Sequence, residues 1–235
     1  MFTLRVSDAV ELVRKNLDEL DPNGSIMMDD ENGSADEYGD NMSLDDIVAR
    51  TLPEAINAVH LAAPVQLLEG VSVENEDLVS VIVTSDGILS FALTSGTHFL
   101  RLVAFEAADS AIVVTDVLSE ASAEARKQLN PYIRGRADRP RLVLMQGWHT
   151  GPVFKYYSLD TESSSFSAYR LHPSSAIYKL SFLQEQFYDE GQTEYPICRR
   201  LRQNIIDCLT AMVLETYSNQ QAQAYYQKAN SYSII

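Results

Sequence analysis

Apolar residues recur at the spacing of an α-helix near both ends of the chain. Residues 8–20 predict a first helix, and residues 43–63 predict a second one that Ser43 is suited to cap. Pro53 is expected to kink or split this second helix, because proline has no backbone N–H to donate. Residues 196–228 predict a third and longest helix, on which apolar positions recur every three or four residues.

The middle of the chain changes to the period of a β-strand. Residues 78–84 and 88–93 are rich in β-branched and aromatic residues and flank Ser85-Asp86-Gly87, which predicts a β-hairpin. Residues 141–145 and 153–159 predict a second strand pair. The remaining predicted elements are strands at 99–105, 111–118 and 166–171 and a short helix at 119–129.

These elements predict an α+β protein with two parts. The N-terminal helices and the long C-terminal helix are expected to form a helical bundle from residues 1–70 and 174–235. Residues 71–173 are expected to form an antiparallel β-rich middle extension, which also carries the short helix and a basic loop. A chain of 235 residues is long enough to bury such cores without disulfides.

Negative charge is concentrated in the first third of the chain. The net charge is −15, and residues 1–77 hold 18 acidic and 4 basic residues, a net charge of −14. Residues 21–42 show no sustained period and predict a long acidic loop. This loop is either solvated or a docking surface for a basic partner; a calcium loop is disfavoured, because Ser34 stands where that motif needs glycine. The acidic candidates for an interface are Asp29, Asp30, Glu31, Asp36 and Glu37.

Positive charge is concentrated in one short segment, residues 126–141, with six bases and one acid. Its arginines either pair with neighbouring acids or contact an acidic surface or a nucleic-acid backbone. A head-to-tail contact between the basic segment of one copy and the acidic loop of the next would suit a ring, although the two could also meet within one chain. The basic interface candidates, expected to be exposed, are Arg126, Lys127, Arg134, Arg136, Arg139 and Arg141.

The C-terminal segment is a further candidate contact. Residues 231–235 end in apolar side chains, so Tyr232, Ile234 and Ile235 are expected to dock on a partner or on the chain itself. Cys198 and Cys208 are ten residues apart in a predicted helix, too far to form a disulfide.

No motif of an enzyme active site is found. A P-loop, a dinucleotide-binding fingerprint, a nucleophile elbow and a zinc pattern are all absent, and the four histidines lie singly. The sequence therefore predicts a protein that is not an enzyme and uses no metal or cofactor. A pocket that joined His149 or His172 to two carboxylates would be the exception. No stretch of 18 apolar residues occurs, so no membrane partner is expected.

Several segments together resemble the head-to-tail adaptor (ring or connector) proteins of tailed phages, most closely those of short-tailed and crAss-like phages. They are DAVELVRKNLDEL, IVARTLPEAINAVHLAAP, HFLRLVAFEAADS, LSEASAEARKQLNPYIRGRADRPRLVLMQG, KYYSL and LRQNIIDCLTAMVLETY. The acidic insertion at residues 21–42 does not match the family pattern.

The resemblance implies a structural virion protein of the phage neck, assembled in the host cytoplasm. Such a protein forms a homo-oligomeric ring, usually of twelve copies, that attaches to the portal protein and extends the DNA channel. It docks the next tail component and lets DNA pass without sequence-specific binding. The alternative is another tail component, such as a stopper, tube or baseplate-type binding module.

Overall fold

The chain folds as two compact units. The computed structural model describes residues 2–20, 43–74, 79–83, 88–107, 112–130, 132–136, 138–145, 151–158, 178–217 and 219–232. Met1–Glu69 together with Gln186–Ile235 make the first unit, and Gly70–Glu185 make the second.

Within the described residues there are ten strands and five helices. In chain order they are β1 (Phe2–Arg5), α1 (Val6–Leu20), α2 (Leu44–Ala62), β2 (Val71–Glu74), β3 (Val79–Val83), β4 (Leu89–Ala92), β5 (Phe99–Ala107), β6 (Val117–Ser119), α3 (Ala123–Lys127), β7 (Arg141–Met145), β8 (Val153–Tyr157), β9 (Tyr178–Gln184), β10 (Glu194–Ile197), α4 (Arg202–Thr216) and α5 (Ala222–Ala229).

The predicted fold class is wrong, because the described residues form a mixed α/β structure with three sheets and not a helical bundle. Besides its helices, the first unit contains a pair of antiparallel strands, β1 and β10. Sequence periodicity missed both strands because each has only four residues. The predicted single helix 196–228 is observed as two helices, α4 and α5. The first of them begins only at Arg202, because the preceding residues Glu194–Ile197 form β10, in which Tyr195 and Ile197 point into the core as alternate residues of a strand do.

The core of the first unit is formed by α1, α2 and α4. The predicted apolar stripe of α2 is confirmed, since Val48, Leu52, Ile56 and Val59 are all buried. The predicted cap is confirmed as well, because the Ser43 hydroxyl accepts a hydrogen bond from the N–H of Asp46 at 3.2 Å. A split at the proline is not observed, since α2 continues through it. The two cysteines are buried free thiols.

The second unit contains two sheets around one core. Its five-stranded sheet has the order β3-β4-β8-β7-β6, and its three-stranded sheet has the order β2-β9-β5. The predicted hairpin is confirmed as the antiparallel pair β3–β4, and the predicted strand pair as β7–β8. Both sheets contribute to an aromatic core, in which the Phe91 ring lies 5.3 Å from the rings of Phe105 and Phe154.

Three predicted features of the middle segment have a different outcome. Of the predicted strand 111–118, only Val117 and Leu118 belong to a strand, β6, in the described residues, and Val114 makes an isolated bridge to Phe105. Residues 178–184, which were assigned to the helical part, form the central strand of the three-stranded sheet. The predicted strand 166–171 lies outside the described residues.

Candidate interaction surface

The helix α3 starts the basic segment and is stabilised by its own polar residues. Ser122 caps it by accepting a hydrogen bond from the N–H of Ala125 at 3.1 Å. Lys127 donates to the carboxylate of Glu124 at 2.5 Å. This hydrogen bond lowers the pKa of Glu124, and the charges of Arg141 and Arg139 lower it further. Three of the six predicted bases therefore lie within electrostatic reach of one carboxylate.

The loop that follows α3 is built around Gln128 and Arg134, both of which are buried. The Gln128 side chain accepts a hydrogen bond from the N–H of Gly135 at 2.7 Å and donates one to the carbonyl of Glu124 at 3.1 Å. The Arg134 guanidinium also lies 5.7 Å from the centroid of the Tyr157 ring. The predicted exposure of Arg134 is therefore wrong: its side chain is 8% exposed and fixes the loop from within.

The same loop places large apolar side chains in solvent. Leu129, Tyr132 and Ile133 are 68%, 70% and 54% exposed; we call these three residues the apolar tip. They are held in place by local hydrogen bonds, because the Asn130 side chain accepts from the N–H of Tyr132 at 3.0 Å and its carbonyl accepts from the N–H of Ile133 at 3.2 Å. The apolar tip is thus an ordered feature that folding leaves uncovered.

Cations accompany the apolar tip. Arg126, Arg136 and Arg139 are exposed, and no ion pair within the described residues involves any of them. A hairpin-like bridge joins the backbones of Arg136 and Arg139, with N···O distances of 3.2 and 2.9 Å. Arg141 is half-buried in β7. Lys127 therefore pairs with an acidic residue of its own chain, which is one of the two alternatives for the basic segment. Arg126, Arg136 and Arg139 are available for the other alternative, contact with an acidic partner.

A groove of about 440 Å³ lies beside α3, between the helix and the sheet. Its apolar lining residues are Ala121, Ala125, Leu129, Val143, Met145 and Tyr157. Arg126 and Lys155 add positive charge to it, and Glu120 adds one negative charge. Since Leu129 belongs to both features, the groove and the apolar tip are continuous. Together they form a surface, here the α3 surface, that is apolar at its centre and mainly basic around it.

The other predicted interface residues lie outside the described residues or in the first unit. Asp29, Asp30, Glu31, Asp36 and Glu37 lie outside the described residues, as do Ile234 and Ile235. Tyr232 is partly buried in the first unit. The predicted contact between acidic loop and basic segment therefore stays a prediction.

Sequence reasoning found the bases of this surface and missed its apolar centre. Leu129, Tyr132 and Ile133 stand between the bases of the segment RKQLNPYIRGR, where large apolar residues have no alternating or helical period to bury them. An apolar residue within a basic, proline- and glycine-containing loop is the signal that could have identified them.

Little in the described structure indicates chemistry. Within the described residues, no group of three or more histidine, cysteine or acidic side chains is placed to hold a metal ion. His149 and His172, the histidines of the enzymatic alternative, lie outside those residues. His60 is buried in the first unit, where its Nε2 faces the N–H of Cys198 at 3.5 Å. In the same described part of the chain, no helix is both long and apolar enough to cross a membrane.

Comparison with known proteins adds no relative. No model of a protein family matches the chain, and a search of curated proteins finds no significant match. Any assignment of function therefore depends on the residues and surfaces of the chain itself.

Proposed function

We propose that this protein is a structural component of the neck of a tailed phage, which assembles into a homo-oligomeric ring on the portal protein. In this proposal the ring extends the DNA channel and docks the next tail component. The protein performs no chemistry; its contacts with other copies and with virion proteins are its function.

The α3 surface is the observation that carries this proposal. Exposing Leu129, Tyr132 and Ile133 in one loop leaves apolar area in water that a protein partner would cover, at about 25 cal/mol for each Å². Aromatic and arginine side chains around an apolar centre are typical of protein interfaces. The resemblance to phage adaptor proteins supplies the identity of the partners, and part of it falls on this same segment, LNPYIRGRADRP.

Charge suggests which surface of the partner is contacted. The second unit presents Arg126, Arg136 and Arg139 without ion pairs among the described residues, and the sequence of the same chain holds eight acids and no base in residues 29–46. We therefore place the α3 surface of one copy against an acidic surface of a neighbouring copy or of the portal. A head-to-tail contact between copies repeats from one copy to the next, and it forms a ring when its rotation closes.

The experiment is assembly with the portal protein encoded in the same genome, measured by mass photometry and by electron microscopy of the mixture. Leu129→Ser with Ile133→Ser removes the apolar tip, and we expect the double variant to lose ring formation while keeping its melting temperature. The matched control is Ile82→Ser, because Ile82 is 58% exposed on β3 of the same unit and outside the α3 surface. Unchanged ring formation by the double variant would remove the α3 surface from the interface.

A further inference from the structure

The first unit contains a polar cleft between the start of α4 and the end of α5. Its volume is about 670 Å³, which lies in the range of small-ligand sites. The polar residues that line it are Arg200, Gln203, Asn204, Asp207, Lys228 and Ser231. None of these residues belongs to the α3 surface, which lies in the other unit.

The walls of the cleft are fixed by contacts within the unit. The Asn204 side-chain amide donates to the carbonyl oxygens of Ala229 and Ser231, at 2.8 and 3.2 Å, and so joins the first turn of α4 to the end of α5. The ammonium group of Lys228 lies 4.2 Å from the centroid of the buried Tyr225 ring. Lys228 is therefore positioned before any ligand arrives, which lowers the entropy cost of binding one.

The cleft is lined by two cations, Arg200 and Lys228, and by one acidic residue, Asp207. Arg199, Arg200 and Arg202 are exposed, and no ion pair within the described residues involves them. They stand at the N-terminal end of α4, where the aligned peptide dipoles already leave positive potential. An anion bound at this end would be attracted both by the arginines and by the end of the helix.

We propose that the cleft binds a phosphate ester, with its phosphate held by Arg200 and Lys228 and its remaining polar groups directed to Asp207 and Gln203. A phosphate carries up to two charges and several acceptor oxygens, so it can use an arginine fork and an ammonium group together, whereas one carboxylate needs only one of them. The ester source is either a free nucleotide or the backbone of a nucleic acid.

Asp207 argues for an ester over a bare phosphate ion. Its side chain is 8% exposed, and Gln203 donates to its Oδ1 at 3.0 Å. Burial raises the pKa of this carboxyl, although the hydrogen bond from Gln203 and the charge of Lys228 act in the opposite direction. The carboxyl oxygens of Asp207 can accept a hydrogen bond from a hydroxyl or amino group of the organic part of an ester, which a bare phosphate ion lacks. The volume of the cleft also exceeds that of a phosphate ion.

The test is isothermal titration of the full chain at low salt with two probes, deoxyadenosine monophosphate and a short single-stranded oligodeoxynucleotide. We expect Arg200→Glu and Lys228→Glu each to weaken binding about tenfold or more. The matched control is Lys15→Glu, an exposed cation of α1 in the same unit that does not line the cleft, and its affinity should stay within about twofold of the wild type. Melting temperatures establish that the variants fold, and Arg200→Gln serves if charge reversal prevents folding.

Each outcome decides the proposal. If the wild type binds the mononucleotide and both variants lose this binding, the cleft is a site for a free nucleotide. Binding of the oligonucleotide alone, with the same losses and a steep salt dependence, supports the nucleic-acid backbone as the source. If neither probe binds, or if the variants bind like the wild type, the proposal is wrong. Ring assembly is measured separately, so failure here leaves the proposed function unaffected.

Discussion

Arg134 donates a hydrogen bond from Nε to the backbone carbonyl oxygen of Gln128, at 2.9 Å, inside a segment that its sequence marks as an exposed basic loop. Arg134 and Gln128 are 8% and 4% exposed, and the loop closes around them. One arginine of the basic segment thus builds the loop, and its neighbours Arg126, Arg136 and Arg139 face solvent. A charge-reversal experiment on this segment has to separate these two roles.

Arg134→Ala should lower the free energy of unfolding by about 2 kcal/mol, because it removes a charge-assisted hydrogen bond and leaves the Gln128 carbonyl buried without this donor. Arg139→Ala is the matched control. Arg139 is exposed in the same loop, so its replacement should change stability by less than about 0.5 kcal/mol. Urea denaturation of the two variants makes the comparison, and equal losses would contradict the structural role of Arg134.

Gly135→Ala should also destabilise the loop. A Cβ atom at this position would lie 2.7 Å from the carbonyl oxygen of Tyr157 and 3.0 Å from the backbone nitrogen of Arg141, and neither backbone can move without disturbing the sheet. We expect a loss of about 1–3 kcal/mol in urea denaturation. Gly191→Ala is the control, since the nearest atom to its Cβ would be 3.9 Å away, and a similar loss there would mean that the clash is not the cause.

The comparison of sequence and structure shows where periodicity is informative. The strands β7 and β8 are rich in apolar residues, follow each other in the chain and pair with each other, and their sequence predicts them to within a few residues. β9 was missed, because its pairing partners β2 and β5 are distant in sequence and no local turn marks it. A short strand such as β1 forms because it pairs with β10, almost two hundred residues away in the chain. The local sequence pattern contains no information about such a distant partner.

The α3 surface shows the same limit for a site. The sequence identifies the basic segment by composition alone, but it treats all six bases as equivalent. Whether a base points outward depends on tertiary contacts, such as the Tyr157 ring that lies beside the guanidinium group of the buried Arg134. The large exposed fraction of Leu129 is likewise not a property of leucine itself.

Acid should weaken the fold through His60. Burial lowers the pKa of this histidine to about 4 from 6.5, so the folded chain keeps it neutral while the unfolded chain takes up a proton below about pH 6.5. The free energy of unfolding should therefore fall by roughly 2 kcal/mol between pH 7 and pH 5 from this group alone. Urea denaturation at the two pH values measures the change. The pH dependence of His60→Gln should be smaller by that amount, and an unchanged dependence would contradict the assignment.

Charge reversal of the exposed arginines should disrupt assembly without unfolding the chain. We expect the triple variant Arg126→Glu, Arg136→Glu, Arg139→Glu to lose ring formation with the portal at physiological salt, because three cations would become anions facing an acidic surface. Its melting temperature should stay close to that of the wild type, since none of the three side chains is buried. Mass photometry measures whether rings form. Rings formed by this variant would exclude the basic segment as an interface.

The central claim is that this protein works by contact with copies of itself and with other virion proteins. Cryo-electron microscopy of the neck of virions from the phage that carries this gene tests it most directly. Our account predicts a closed ring of this chain on the portal, with Leu129, Tyr132 and Ile133 covered by a neighbouring subunit. Absence of the protein from the virion, or a position in which these three residues remain in solvent, would contradict it.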